Sequence, residues 1–220
     1  SNISNIAIGL DAEDVKAQYI NLDNTIHIIT GASQTGKTNL LKLVIDQFHG
    51  NSYIIDSRSC ELNAYSKKES ISYASSTDEL TTLFEALNNE ILARNADYEA
   101  NTNGISKREY YSSKQHSLIL IDDADRFIEL CKSSAALTER LLIDALECGI
   151  RIIVTTIPSK MRGYDNITKL LKDTGYGIIL GNPTEQTIFQ MSPQRGYRQQ
   201  IDMGFIYARG NVCNIKIPLV

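Results

Sequence analysis

Apolar runs one strand long alternate along this chain with longer stretches whose apolar residues recur every three or four positions. Thr25-Ile26-His27-Ile28-Ile29-Thr30 is a β-branched run of strand length. Leu40, Leu41, Val44, Ile45 and Phe48 then fall on one helical face, and Gly50-Asn51 ends that helix. Residues 52–56 read as the next strand, and residues 70–73 as a short one inside the polar stretch 57–75. Ser76-Thr77-Asp78-Glu79 has capping-box spacing, and Leu80, Leu83, Phe84, Leu87 and Ile91 continue as a helix to about Asp97. Residues 98–115 are polar and broken by Asn101-Thr102-Asn103-Gly104 and Ser112-Ser113, which predicts a loop or mobile insertion carrying Lys107 and Arg108.

Residues 117–121 form another apolar run, this time ending in Asp122-Asp123, and a helix is expected over 124–130. A second helix follows over 134–148, then a buried strand over 150–156, a helix over 166–172 and a strand over 176–180. Asn182-Pro183-Thr184-Glu185 carries a helix-start signal, and residues 200–218 read as two strands around Arg209-Gly210-Asn211. Residues 1–24 form a lead-in with short strands near 6–10 and 19–22, ahead of a domain over 25–220. Strands apolar throughout, alternating with helices, predict an α/β fold with a mainly parallel sheet flanked by helices and short accessory strands at both ends.

The chemistry lies between the first long strand and its helix. Gly31-Ala32-Ser33-Gln34-Thr35-Gly36-Lys37-Thr38 fits the phosphate-binding pattern G-x-x-x-x-G-K-[ST] at every fixed position. A loop bounded by two glycines turns its backbone N–H groups inward around a phosphate, and the following helix adds the positive end of its dipole. Lys37 is then expected to reach the β- and γ-phosphates of ATP, with the Thr38 hydroxyl on Mg²⁺. Carboxylates at the carboxyl end of a buried parallel strand stand where such sheets bind ligands. Asp122 is accordingly the second Mg²⁺ residue, and Asp123 either orients the attacking water or caps the next helix. Thr155, at the end of its strand, is placed either to sense a γ-phosphate or to hydrogen-bond locally.

Composition narrows the context. Forty-two per cent hydrophobic and 22% charged residues describe an ordinary globular chain, and no run approaches a membrane span. A net charge of −4 argues against a DNA-gripping surface. The four cysteines have neither disulfide nor zinc spacing. The start at Ser1, without an initiator Met, suggests a soluble piece excised from a longer protein.

Beyond the phosphate loop, an ordered set of stretches carries a family resemblance. It comprises Ile8-Gly9-Leu10, residues 118–123, Gly149–Thr156, Gly181–Gln186, Pro193-Gln194-Arg195-Gly196-Tyr197 and Ala208-Arg209-Gly210. Together they resemble an FtsK/SpoIIIE-type ATPase domain, most closely the last ATPase domain of the EssC/EccC coupling proteins of type VII secretion. The resemblance implies a RecA-like fold and a membrane-anchored parent with tandem ATPase domains on the cytoplasmic face. It also implies partners: those neighbouring domains, a membrane secretion complex, exported WXG-type helical hairpins, and further copies of the same protein. No nucleic acid is expected. By the same analogy Arg94 offers its guanidinium to a neighbour's nucleotide. Active members place Glu after the acidic-strand Asp, where this chain has Asp123. A carboxylate misplaced on the order of 1 Å costs about 10²-fold in rate, so weak hydrolysis is expected. Two alternatives remain open, an interaction domain with a vestigial pocket and a DNA-translocating motor.

Overall fold

The computed structural model describes residues 5–191 and 202–218. Ten strands form one sheet: β1 (Asn5–Asp11), β2 (Ala17–Asn21), β3 (Ile26–Gly31), β4 (Ser52–Ile55), β5 (Ile71–Ala74), β6 (Ser117–Ile121), β7 (Ile150–Thr156), β8 (Tyr176–Leu180), β9 (Met203–Ala208) and β10 (Asn211–Lys216). Their order across the sheet is β2-β1-β10-β9-β8-β3-β7-β6-β4-β5. From β8 to β5 the pairings are parallel; from β8 to β2 they are antiparallel. The fold is thus the mainly parallel RecA-like arrangement. The accessory strands from the two ends of the chain gather on one edge.

Among the described residues, six α-helices cover the sheet: α1 (Lys37–Gln47), α2 (Thr77–Asn101), α3 (Lys107–Ser112), α4 (Ala124–Leu130), α5 (Ala135–Glu147) and α6 (Asn166–Lys172). Alternation along each strand divides the interior in two. Ile119 and Ile121 of β6 face the core formed with α2 to α6, while Leu118 and Leu120 face the one formed with α1. Every residue of β3, β6 and β7 is buried, as the unbroken apolar runs required. The Gln47 side chain of α1 ties down the lead-in, accepting from Ala7 N at 3.1 Å and donating to Ala7 O at 2.7 Å.

Two expectations need correcting. Residues 98–115 are not a loop throughout, because α2 runs on to Asn101 and α3 follows after a short turn. Ser106 caps α3 by accepting from Glu109 N. Tyr110 and Tyr111 are buried and pack edge-to-face on each other at 5.3 Å, with Tyr98 of α2 at 5.3 and 6.1 Å from them. Polar composition concealed this aromatic anchor. The Asn182-Pro183 signal opens only a single 3₁₀ turn, Pro183–Glu185, after which the Gln186 side chain folds the backbone onto Phe189. The stretch Pro193–Tyr197 singled out above lies outside the described residues.

Candidate nucleotide site

Gly31 ends β3 where a side chain cannot fit: a Cβ there would stand 2.6 Å from Leu180 O and 2.5 Å from Thr35 Oγ1. The loop then turns through Gln34 (φ 62°) and Gly36 (φ 92°), both left-handed. No side chain caps α1, so the N–H groups of its first turn point into the loop without a local acceptor. Thr35 Oγ1 braces the loop by donating to Ala32 O at 2.9 Å. Lys37 Nζ crosses it, donating to Gly31 O at 2.9 Å and Ala32 O at 2.6 Å. Burial lowers the Lys37 pKa, Asp122 and Asp123 pull it back up, and the charge of Lys160 lowers it again.

Asp122 follows β6 and is buried. Its carboxylate accepts from Thr38 Oγ1 at 3.1 and 3.3 Å and from Thr155 Oγ1 at 2.8 Å. Thr155 Oγ1 in turn accepts from Asp123 N at 2.8 Å. Thr38 and Asp122 thus present adjacent hard oxygen donors, a set that fits Mg²⁺ beside a bound phosphate. The Thr155 hydroxyl already has a donor and an acceptor, and its one proton is committed to Asp122. Asp123 holds a left-handed backbone (φ 73°, ψ 94°), and its side chain caps α4 by accepting from Asp125 N at 3.2 Å.

These groups line one cavity of about 570 Å³ that includes Ser33, Gln34, Lys37, Thr38, Asp122 and Asp123. Its far wall, Ser57-Arg58-Ser59 and Glu61, was missed in the sequence. The available signal was topological: this segment leaves β4 at the same sheet edge as Asp122. Arg58 is held there by Glu129 of α4, at 2.6 and 2.7 Å. Lys160, after β7 and 3.6 Å from Asp125, is a further cation felt by Lys37 that the sequence did not mark.

Arg94 requires correction. Its guanidinium donates to Glu90 Oε1, Cys148 O, Gln115 O and Ser117 Oγ, at the opposite end of β6 from Asp122. Only 17% of the side chain is exposed, so it braces α2 against the sheet and is not free to serve a neighbour's nucleotide. Among the described residues, no group of three or more His, Cys, Asp or Glu gathers as a metal site.

Residues 21–163 match the family model described as an AAA domain. This chain belongs to that family of P-loop ATPases. It is an ATPase domain similar to those of type VII secretion proteins. Over 226 residues it is 26% identical to the ESX secretion system protein YukB of Bacillus subtilis, covering 97% of this chain but only 15% of that protein. EssC (ATPases 2 and 3) from Geobacillus thermodenitrificans superposes with a TM-score of 0.81 at 20% identity, covering 99% of this chain and 41% of that one. Thermomonospora curvata EccC (ATPases 2 and 3), in complex with a signal sequence peptide, gives 0.72 at 18% identity, covering 100% and 42%. These structural likenesses establish the fold, and the chain spans a small part of the secretion proteins it matches. None of its helices, among the described residues, is long and apolar enough to cross a membrane.

Proposed function

We propose that this domain is the ATP-binding module of a type VII secretion coupling ATPase, binding Mg-ATP but hydrolysing it weakly by itself. The observation that carries this reading is the linkage of Thr38, Asp122 and Thr155 beside Lys37, which assembles cation and oxygen donors around one phosphate-sized loop. Weak hydrolysis follows from Asp123. Its carboxylate is one methylene shorter than the Glu of active relatives and is engaged as the α4 cap. The domain works beside other ATPase domains of its parent at the cytoplasmic face of a membrane complex, including further copies of the parent. There it takes part in recognising exported WXG-type hairpins. The signal-peptide complex of the T. curvata relative supports the last point.

Calorimetric titration of Mg-ATP tests the reading. Lys37→Ala is expected to weaken binding by about 10–100-fold, the loss of charge-assisted hydrogen bonds to phosphate. Slow turnover by the isolated wild-type domain is the second expected result. Rapid turnover, lost in Lys37→Ala, refutes the weak-hydrolysis part and leaves ATP binding intact. No binding at millimolar Mg-ATP refutes both.

A further inference from the structure

A second cavity, of about 670 Å³, opens at the amino-terminal edge of the parallel strands, across the sheet from the phosphate loop. Among the described residues, Lys107, Arg108, Arg151 and Arg209 line it against two carboxylates, Asp23 and Glu147. Arg151 forms its floor and is 7% exposed. Its Nε donates to Leu22 O at 2.7 Å and its Nη1 to Leu146 O at 3.5 Å. Both acceptors are neutral, and among the described residues the guanidinium has no ion-pair partner. A buried cation held by carbonyls alone is undercompensated, because neutral dipoles replace only part of its lost hydration. Burial accordingly pulls the Arg151 pKa down to about 10, with Asp23 opposing and Arg108 adding to the fall.

The surroundings share the deficit of negative charge. His116 is 4% exposed; its Nδ1 lies 3.0 Å from Gly149 O, and its Nε2 has no hydrogen-bond partner, with Asp23 Oδ1 3.9 Å away. Burial and the charge of Arg151 lower its pKa, and the Gly149 carbonyl and Asp23 oppose them only in part. Arg209 lies over the ring of Tyr176, 5.4 Å from the centroid. Arg108 is exposed at the rim. Lys107 is turned aside, donating to Asn95 Oδ1, and contributes field rather than a contact.

We propose that this cavity binds a phosphorylated small molecule carrying at least two negative charges, anchored by Arg151 with Arg108 and Arg209 closing over it. Four cations against two carboxylates leave a surplus that a dianion neutralises. The unused N–H groups of Arg151 match phosphate oxygens, and Tyr111 and Tyr176 offer apolar walls for an organic part. The volume falls within the range of small-ligand sites.

Pyrophosphate is the probe, titrated at low salt into the Lys37→Ala protein so that the phosphate loop binds it more weakly, and the rim variant tells the two sites apart. One saturable site is expected. It should weaken about tenfold or more in Arg108→Ala/Arg209→Ala, whose side chains are exposed, and be lost in Arg151→Gln. Binding should also move the NMR signals of the His116 ring. Citrate, a polycarboxylate of similar charge, should bind more weakly. Absence of saturation at millimolar pyrophosphate overturns the site, as does equal affinity in the rim variant. Citrate binding as tight as pyrophosphate overturns the phosphate class. If Arg151→Gln does not fold, the rim variant decides. None of these readouts depends on ATP binding.

Discussion

Thr155 contributes one hydroxyl to the nucleotide site and uses it twice, donating to Asp122 and accepting from the Asp123 N–H. In a buried place, both partners then depend on one oxygen. Thr155→Val keeps the shape and removes that oxygen, leaving the Asp123 N–H unsatisfied and Asp122 with one donor fewer. Urea denaturation should show a loss of about 1–3 kcal/mol. ATP titrations with and without Mg²⁺ should show that the Mg²⁺-dependent part of the affinity falls more than the rest. Unchanged Mg²⁺ dependence would mean that Thr155 is only a strand-end hydrogen bond. Arg94 shows the converse. As an isolated letter it reads as an exposed helical cation, and four acceptors decide its role. Two of those acceptors are carbonyls, which no sequence pattern marks.

At the scale of elements, the helices with local signals were the legible ones. Ser76 and Glu79 form the reciprocal capping box that their spacing predicts, and α2 starts there. The phosphate loop needed only its glycines and the strand and helix beside it. Helix α3 carries a start signal of the same spacing, Ser106 and Glu109, but with only six residues and a polar sequence its stability comes from docking rather than from propensity. Tyr111 is 2% exposed, its hydroxyl donates to Arg94 O at 2.7 Å, and its Cβ faces Gly149. Tyr111→Ala should therefore cost about 3–5 kcal/mol in denaturant unfolding, as large-to-small changes of a buried aromatic ring do. Tyr111→Phe should cost about 1 kcal/mol, the hydrogen bond alone. Similar small losses for both would mean that α3 is only lightly held. Gly149 must stay small at this contact. Its left-handed φ of 80° disfavours a side chain, and a Cβ would press to 2.9 Å from Tyr111 Cβ.

At the scale of the whole molecule, His27 lies in β3 at the middle of the sheet, 5% exposed, and its Nδ1 has no partner. Burial, helped by the charge of Arg151, lowers its pKa to about 4 from an ordinary 6.5. The neutral ring suits the fold, so its contribution is fully present above pH 6.5. It declines as pH falls from there to about 4, by roughly 3 kcal/mol in all. His27→Leu should flatten the stability profile across that window, followed by urea midpoints from pH 7 to 4. An unchanged slope would show that the acid sensitivity arises elsewhere, for example at His116, whose pKa is also lowered.

The sequence alone determined the phosphate loop, the acidic strand and the order of strands and helices between them, because these rest on neighbours within a few positions. Hydrophobic periodicity says which side of an element is buried but not against what. Only the tertiary structure brought the accessory strands of both chain ends to one sheet edge. It also inserted β7 between the loop strand and the acidic strand, and withdrew Arg94 from the nucleotide to the far edge. It joined Lys107, Arg108, Arg151 and Arg209 around one cavity, although they lie on three separate segments. Each of these outcomes depends on contacts between residues distant in sequence, whose energies are settled by packing and burial when the whole sheet assembles.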